Sequence, residues 1–207
     1  RKPNPPEDYG FANMASDYAH IIYEIFGEPV NVLGVSTGGQ LAQYLAANHP
    51  NAVKKLVIIS AAFRLSSKGN KIEGETGEFI RQGKYGKAIG KTLELLFESK
   101  ITLFFLKSFM RVFGSLMIGE IKYPNDALSE IHADRQMNFR NRLKDIQSPT
   151  LILSGENDIG YAAEDVRIMG KEIPKGKVKI FPGYGHNLMF SNMDEVISEV
   201  EAFLEND

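Results

Sequence analysis

The sequence predicts an α/β fold in which a mostly parallel sheet is flanked by helices and interrupted by an inserted helical segment. Short β-branched runs alternate with amphipathic helical runs at both ends of the chain, which is typical of parallel strands joined by crossover helices. Between them, residues 62–146 contain no strand-like run. Hydrophobic residues make up 43% of the 207, which is enough for one domain with a substantial core.

The first third of the chain alternates helix, strand, helix and strand. Residues 13–26 repeat apolar side chains at helical spacing, and a glycine and a proline follow them. The run VNVLGV at 30–35 predicts a short buried strand. Helical spacing resumes over 39–48, and VKKLVIIS at 53–60 predicts a second buried strand.

The middle of the chain changes character. Six glycines lie among charged residues between 68 and 91, and this composition favours a loose loop or a lid hinge. Helical segments are predicted over about 91–118 and 125–142, separated by Pro124. We therefore expect a helical insertion here.

The alternation of strands and helices returns in the last third. TLILS at 150–154 and KVKIF at 177–181 predict two more strands, with helices near 161–171 and 194–205. The predicted organisation is a core formed by residues 1–61 and 147–207, with a helical cap formed by residues 62–146.

Composition excludes several functional classes. The net charge of −2 provides no basic excess for nucleic acid, and the absence of cysteine excludes disulfides, thiolate metal sites and a cysteine nucleophile. Four scattered histidines form no metal signature, so we expect no metal and no cofactor. The longest apolar segment, 101–118, is interrupted by Lys107 and Arg111, which indicates an amphipathic helix and not a transmembrane segment. With no apolar leader at its start, the chain is expected to be cytoplasmic.

The stretch GVSTGG places Ser36 where a predicted strand ends and a helix begins. A glycine-flanked serine between strand and helix meets the condition for a nucleophile elbow, with small residues at Gly34 and Gly38 allowing close backbone approach. The following helix would direct its amides, beginning with the Thr37 N–H, at an anion formed beside Ser36. The alternative is a structural turn that merely requires glycine.

Two further residues follow predicted strands. Asp158 lies just after the strand at 150–154, and His186 lies just after the strand at 177–181. Because sites in open α/β sheets gather at the carboxyl ends of the strands, these side chains are expected near Ser36. Glu156 is the main rival to Asp158, being two residues away in the same turn.

Taken together, these segments resemble an α/β-hydrolase-fold serine hydrolase of the esterase and lipase type. The matches are NVLGVSTGGQLAQYLAANHP at the elbow, SPTLILSGENDIGYA at the acid turn and FPGYGHNLMF at the histidine loop. The resemblance implies that Ser36 is the nucleophile, His186 the general base and then acid, and Asp158 the partner of His186. It also implies a small-molecule ester substrate, with amide, thioester or C–C cleavage and acyl transfer as alternatives that use the same triad.

The chain departs from the family at its N-terminal side. Only about 29 residues precede the strand at 30–35, so the sequence resembles the C-terminal two-thirds of a hydrolase. The early loop that supplies the family's second oxyanion donor has no counterpart here. We therefore expect an exposed apolar sheet edge with a tendency to self-associate. A non-catalytic binding protein or a weakly active fragment of the same fold is the alternative from another functional class.

Overall fold

The structure, a computed structural model, describes residues 9–97, 99–118 and 123–205, with only the backbone described at 115–118. The start of the predicted core, residues 1–8, lies outside this part of the chain. The helices are α1 (Phe11–Phe26), α2 (Thr37–Asn48), α3 (Ser67–Arg81), α4 (Tyr85–Leu96), α5 (Lys100–Ile118), α6 (Pro124–Gln136), α7 (Ala163–Glu172), α8 (Leu188–Ser191) and α9 (Met193–Glu205). The strands are β1 (Val30–Val35), β2 (Val53–Ile59), β3 (Thr150–Gly155) and β4 (Gly176–Phe181), and short 3-10 helices cover Pro50–Ala52 and Arg140–Asp145.

The four strands form one parallel sheet in the order β1-β2-β3-β4. Parallel neighbours need crossover connections, and α2 and α7 supply them between β1 and β2 and between β3 and β4. The connection from β2 to β3 instead contains α3 to α6. The predicted α/β architecture with a mostly parallel sheet is confirmed.

Each face of the sheet carries its own apolar core. Leu56 and Ile58 of β2 point to the larger core, which also contains side chains of α1, α2 and α7. Val57 and Ile59 point to the opposite face, against α8 and α9. This strict alternation along β2 is the period of two that puts successive side chains on opposite faces. Burial on both faces explains why the second half of β2, residues 56–59, is a continuous apolar run.

The burial that the run at 30–35 predicts for β1 is not found, and β1 is instead the exposed apolar sheet edge that we also expected. Leu33 is 48% exposed and Val35 is 36% exposed. Only β2 pairs with β1 among the described residues, and the described members of the second core come from β2, β3, β4 and the helices beyond them. β1 is therefore apolar in composition but forms an edge of the described sheet, and one face of this strand is uncovered.

The glycine-rich stretch at 68–91, expected to be a loose loop or hinge, is helical instead. It forms α3 and the first half of α4. The glycines permit close helix packing: a Cβ on Gly86 would lie 2.3 Å from the backbone oxygen of Met110 in α5. The composition suggested a flexible segment. Because glycine has no side chain, however, these helices can pack closely, and the packing outweighs the low helix propensity of glycine.

The end of the middle region packs into the larger core beside the sheet. Met137, Phe139, Leu143 and Ile146 are buried in the larger core, and the Phe139 N–H donates to the Phe63 carbonyl. Because Phe63 belongs to the same core, both ends of the insertion are anchored there. Within the described ranges, no helix is long and apolar enough to cross a bilayer.

Candidate active site

Ser36 occupies a strained turn between β1 and α2. Its backbone has φ 53° and ψ −127°, a combination that costs on the order of 1–3 kcal/mol for a residue with a side chain. The Ser36 N–H donates to the Ile59 carbonyl at 2.9 Å, which ties the turn to the end of β2. A Cβ on Gly34 would lie 2.4 Å from the Gly38 carbonyl oxygen. The turn therefore needs glycine at position 34, as the sequence indicates.

Gly38 is not required for the close backbone approach that the sequence suggests. A Cβ at Gly38 would meet nothing within 4 Å, whereas one at Gly39 would lie 2.7 Å from the Ala61 Cβ. The closely packed glycine after the serine is thus Gly39, since α2 meets the residues that follow β2 at that point. Gly38 lies within the elbow, but a Cβ at this position would not clash with its surroundings.

The loops after β3 and β4 are joined by backbone contacts. The Asn157 N–H donates to the Tyr184 carbonyl at 2.8 Å, and the Glu156 N–H donates to the Phe181 carbonyl at 3.0 Å. A Cβ on Gly155 would lie 2.3 Å from the backbone carbonyl oxygen of Tyr184. This close approach sets the distance between the side chains that the two loops carry.

The structure brings Ser36, His186 and Asp158 into one line of hydrogen bonds. Ser36 Oγ lies 2.9 Å from His186 Nε2. His186 Nδ1 lies 2.9 Å from Asp158 Oδ2 and 3.1 Å from Oδ1. The histidine is 9% exposed and the aspartate 7%, whereas Glu156, the rival acid, is exposed.

Asp158 is held in place by backbone donors as well as by histidine. Its Oδ1 accepts from the Gly160 N–H at 2.8 Å and from the Tyr161 N–H at 3.1 Å. These backbone donors fix the position of the carboxyl group. A carboxyl group that accepts from Nδ1 orients the imidazole so that Nε2 is left to accept a proton from Ser36.

A second carboxyl group, which the sequence did not reveal, lies beside the elbow. Asp134 of α6 is 2% exposed. Its Oδ2 accepts from the Thr37 hydroxyl at 3.2 Å, and its Oδ1 accepts from the Tyr161 hydroxyl at 3.4 Å. Asp134 lies in the polar run SEIHADRQ, which is typical of a solvated helix, so no local signal marked it.

Burial shapes the electrostatics of this second group. Loss of hydration, reinforced by the charge of Glu73, raises the pKa of Asp134 to about 7. Burial also raises the pKa of Glu73 on α3, with Glu130 adding to the effect. The pKa of Tyr161 is raised well above its ordinary value, mainly by burial and then by Asp134. Acidic groups of the inserted helices thus lie close to the elbow.

A cleft of about 580 Å³ opens beside His186. Its apolar wall comes from the inserted helices and includes Leu95, Phe97 and Leu103, while Ile159 closes the side next to the acid turn. This volume is within the range of small-molecule sites. Lys68 and Lys100 also line the cleft.

Comparisons with known proteins agree with the fold. A family profile described as "alpha/beta hydrolase fold" matches residues 1–192. The sn-1-specific diacylglycerol lipase ABHD11 of Mus musculus is 23% identical over 98% of this chain and 67% of its own length. The poly(3-hydroxyalkanoate) depolymerase of Ectopseudomonas oleovorans is 25% identical over 98% of this chain and 70% of its own.

Solved structures resemble the fold in the same way. MGS-M2, an alpha/beta hydrolase enzyme from a deep-sea metagenome library, superposes with a TM-score of 0.80 at 17% identity, covering 98% of this chain and 74% of its own. The enol-lactonase of Burkholderia xenovorans superposes with a TM-score of 0.76 at 16% identity, and the match covers 98% of this chain and 75% of the lactonase chain. The chain is therefore an enzyme of the alpha/beta hydrolase fold family.

Proposed function

We propose that this enzyme is a serine hydrolase that cleaves carboxylic esters through Ser36, His186 and Asp158. The observation that carries the proposal is the unbroken line of hydrogen bonds from Ser36 Oγ through both ring nitrogens of His186 to Asp158. A serine hydroxyl is a weak nucleophile by itself and needs an adjacent base that a third group orients. Neither the base nor the orienting group is needed if Ser36 merely forms a structural turn.

The proposed reaction proceeds through an acyl-enzyme. His186 Nε2 accepts the Ser36 proton as Oγ attacks the ester carbonyl carbon, and the carbonyl oxygen becomes a tetrahedral oxyanion. Collapse of this intermediate breaks the bond to the alcohol, which leaves with the proton held by His186. Water then attacks the acyl group in the same way and regenerates the Ser36 hydroxyl. The oxyanion faces the Thr37 N–H, which lies in the first turn of α2, where backbone amides have no intrahelical acceptor.

The proposed substrate is an ester with an apolar acyl group of small to medium size. The apolar wall contributed by Leu95, Phe97 and Leu103 beside His186 supports this choice. We expect kcat/KM to rise from acetate to butyrate and hexanoate esters of one chromogenic alcohol, because each buried methylene contributes about 0.8 kcal/mol, or roughly fourfold. A maximum at acetate with no activity by octanoate would contradict an apolar acyl site.

Labelling with a fluorophosphonate tests the catalytic proposal directly. Ser36 is expected to be phosphonylated stoichiometrically, with loss of fluoride, and mass spectrometry should place the adduct on the Ser36 peptide. The His186→Ala variant should not be labelled within the same time. Absence of labelling in the folded wild-type protein would favour a non-catalytic binding protein of the same fold.

Ser60 provides a matched control for this experiment. It follows β2 and shares a positive φ of 50° with Ser36, but its side chain is fully buried. Within the part of the chain that the structure describes, its Oγ has no hydrogen-bond partner and therefore no base. Ser60→Ala should be labelled like the wild type, which would show that the label does not lie on this second strained serine.

Two organisational predictions remain proposals. The first is the division into a core of residues 1–61 and 147–207 and a helical cap of residues 62–146, which the position of α3, α4 and α5 beside the cleft supports. The second is self-association through the edge strand β1, which the exposure of Leu33 supports. A monomeric mass in light scattering at micromolar concentration would argue against the second.

A further inference from the structure

We propose that Asp134 is a positioning residue for the proposed hydrolysis and that it acts as a neutral carboxylic acid. This inference rests on the proposed function of Ser36. Its basis is the contact of one buried carboxyl group with two residues of the reaction centre, Thr37 and Tyr161. Asp134 belongs to α6 of the inserted segment, so it links that segment to the nucleophile elbow.

The two partners of Asp134 contact different members of the triad. Thr37 follows Ser36 and carries the proposed oxyanion donor on its backbone, while its hydroxyl donates to Asp134 at 3.2 Å. Tyr161 donates its N–H to Asp158, and its ring lies 5.7 Å from that of His186 between centroids. The tyrosine hydroxyl also interacts with the Ser36 side chain. A change at Asp134 therefore reaches both the donor for the oxyanion and the orientation of the base.

The surroundings of Asp134 favour its neutral form. Its side chain is almost fully buried, Glu73 approaches from α3, and Glu130 lies on its own helix. Thr37 and Tyr161 donate hydrogen bonds that favour the ionised form, but burial and the acidic neighbours outweigh them. The nearby Arg135 side chain is directed to Asn70 instead. The pKa of Asp134 is accordingly raised to about 7.

The sign of the pH effect follows from the charge of the transition state. The attack by Ser36 creates an oxyanion beside Thr37, and an ionised Asp134 would add a second negative charge close to it. A neutral Asp134 avoids this repulsion, and its own O–H then donates to the Thr37 or the Tyr161 hydroxyl oxygen, each of which can accept as well as donate. Its favourable contribution is present when it is protonated and is lost as the pH rises through about 7. We therefore expect kcat/KM to decline as the pH rises above about 7.

The pH profile of Asp134→Asn tests the inference, because asparagine has the shape of the neutral acid and cannot ionise. Wild-type kcat/KM should fall about tenfold or more between pH 7 and pH 8.5. Asp134→Asn should stay within about threefold of the wild type at pH 6 and should lose this alkaline decline. Asp134→Ala, which removes the hydrogen-bonding partner of Thr37 and Tyr161 and cannot ionise either, should be about tenfold slower than Asp134→Asn at every pH and should also lack the alkaline decline.

Two controls show whether the effect belongs to Asp134 and to the reaction centre. Asp145→Asn changes a half-exposed acid that pairs with Arg142 and should keep the wild-type profile. Melting temperatures at pH 5 and pH 8 report the stability of the fold. The pKa of Asp134 in the folded state exceeds its ordinary value of 3.8. The free energy of unfolding that Asp134 contributes therefore falls as the pH rises from about 4 to about 7. Asp134→Asn should remove that part of the decline in stability.

An alkaline decline that persists in Asp134→Asn would overturn the inference. So would a change in melting behaviour with an unaltered pH–rate profile, because Asp134 would then be only structural. Fluorophosphonate labelling distinguishes a failure of this inference from a failure of the proposed function. A wild type that is labelled at Ser36, with a profile unaffected by Asp134→Asn, contradicts this inference alone, whereas an unlabelled wild type contradicts the proposed function and this inference with it.

Discussion

His186→Ala is expected to lower kcat for ester hydrolysis by about 10⁵–10⁶-fold, the order seen when a base of a serine triad is removed. His186 Nε2 is 2.9 Å from Ser36 Oγ, and no second histidine contacts Ser36 among the described residues. Without this imidazole, the serine proton has no acceptor during attack. The measurement is a steady-state rate with a short-chain chromogenic ester, after circular dichroism has shown that the variant is folded.

The matched control for this substitution is His20→Ala. His20 is an exposed residue of α1, a helix that contributes no member of the proposed triad, so its loss should change kcat by less than about twofold. The double variant Ser36→Ala/His186→Ala should be no slower than either single variant, because residues that act as one unit are strongly non-additive. A His186→Ala enzyme within tenfold of the wild type would refute the assignment of the base.

Asp158→Asn is expected to lower kcat by about 10⁴-fold while the fold is retained. The carboxylate accepts from His186 Nδ1 and from two backbone amides. An asparagine keeps only one acceptor oxygen, and its amide group would face Nδ1 or a backbone N–H as a second donor. The imidazole is then driven to the tautomer that carries its proton on Nε2, where it cannot accept from Ser36.

Glu156→Gln makes the matched comparison, since it removes a carboxylate two residues away in the same turn. Glu156 is exposed, and the structure places Asp158 against the ring instead. We expect Glu156→Gln to keep kcat within about twofold of the wild type. Equal losses in the two variants, or a larger loss in Glu156→Gln, would reverse the assignment of the acid. Rates measured from pH 6 to pH 9 should show the Asp158→Asn loss throughout.

The sequence located Ser36, Asp158 and His186 because each residue follows a strand whose pattern is local. Strand periodicity and the glycines at each turn are read over a few neighbouring residues. A parallel sheet then places the carboxyl ends of its strands at one edge, so three distant residues are expected to be close. The spacing did not give the distances, which depend on close contacts such as that of Gly155 with Tyr184.

Predictions from composition were wrong where tertiary packing places a residue type in a structure or environment that it does not usually favour. The glycines at 68–91 resemble a loop, but Gly86 permits α4 to approach the backbone of α5. The apolar run of β1 resembles a buried strand, but burial depends on what covers a strand, and Leu33 is left half exposed. Neither outcome can be predicted from a short stretch of neighbouring residues.

The sequence by itself thus determined the α/β class, the four strands in their order along the chain, and the three residues proposed for catalysis. Only the tertiary structure decided that α6 brings Asp134 to Thr37, 97 positions away, and to Tyr161, 27 positions away. The physical reason is that periodicity and turn chemistry are local properties of the chain. The burial and hydrogen bonding that set the pKa of Asp134 arise only when distant segments pack together.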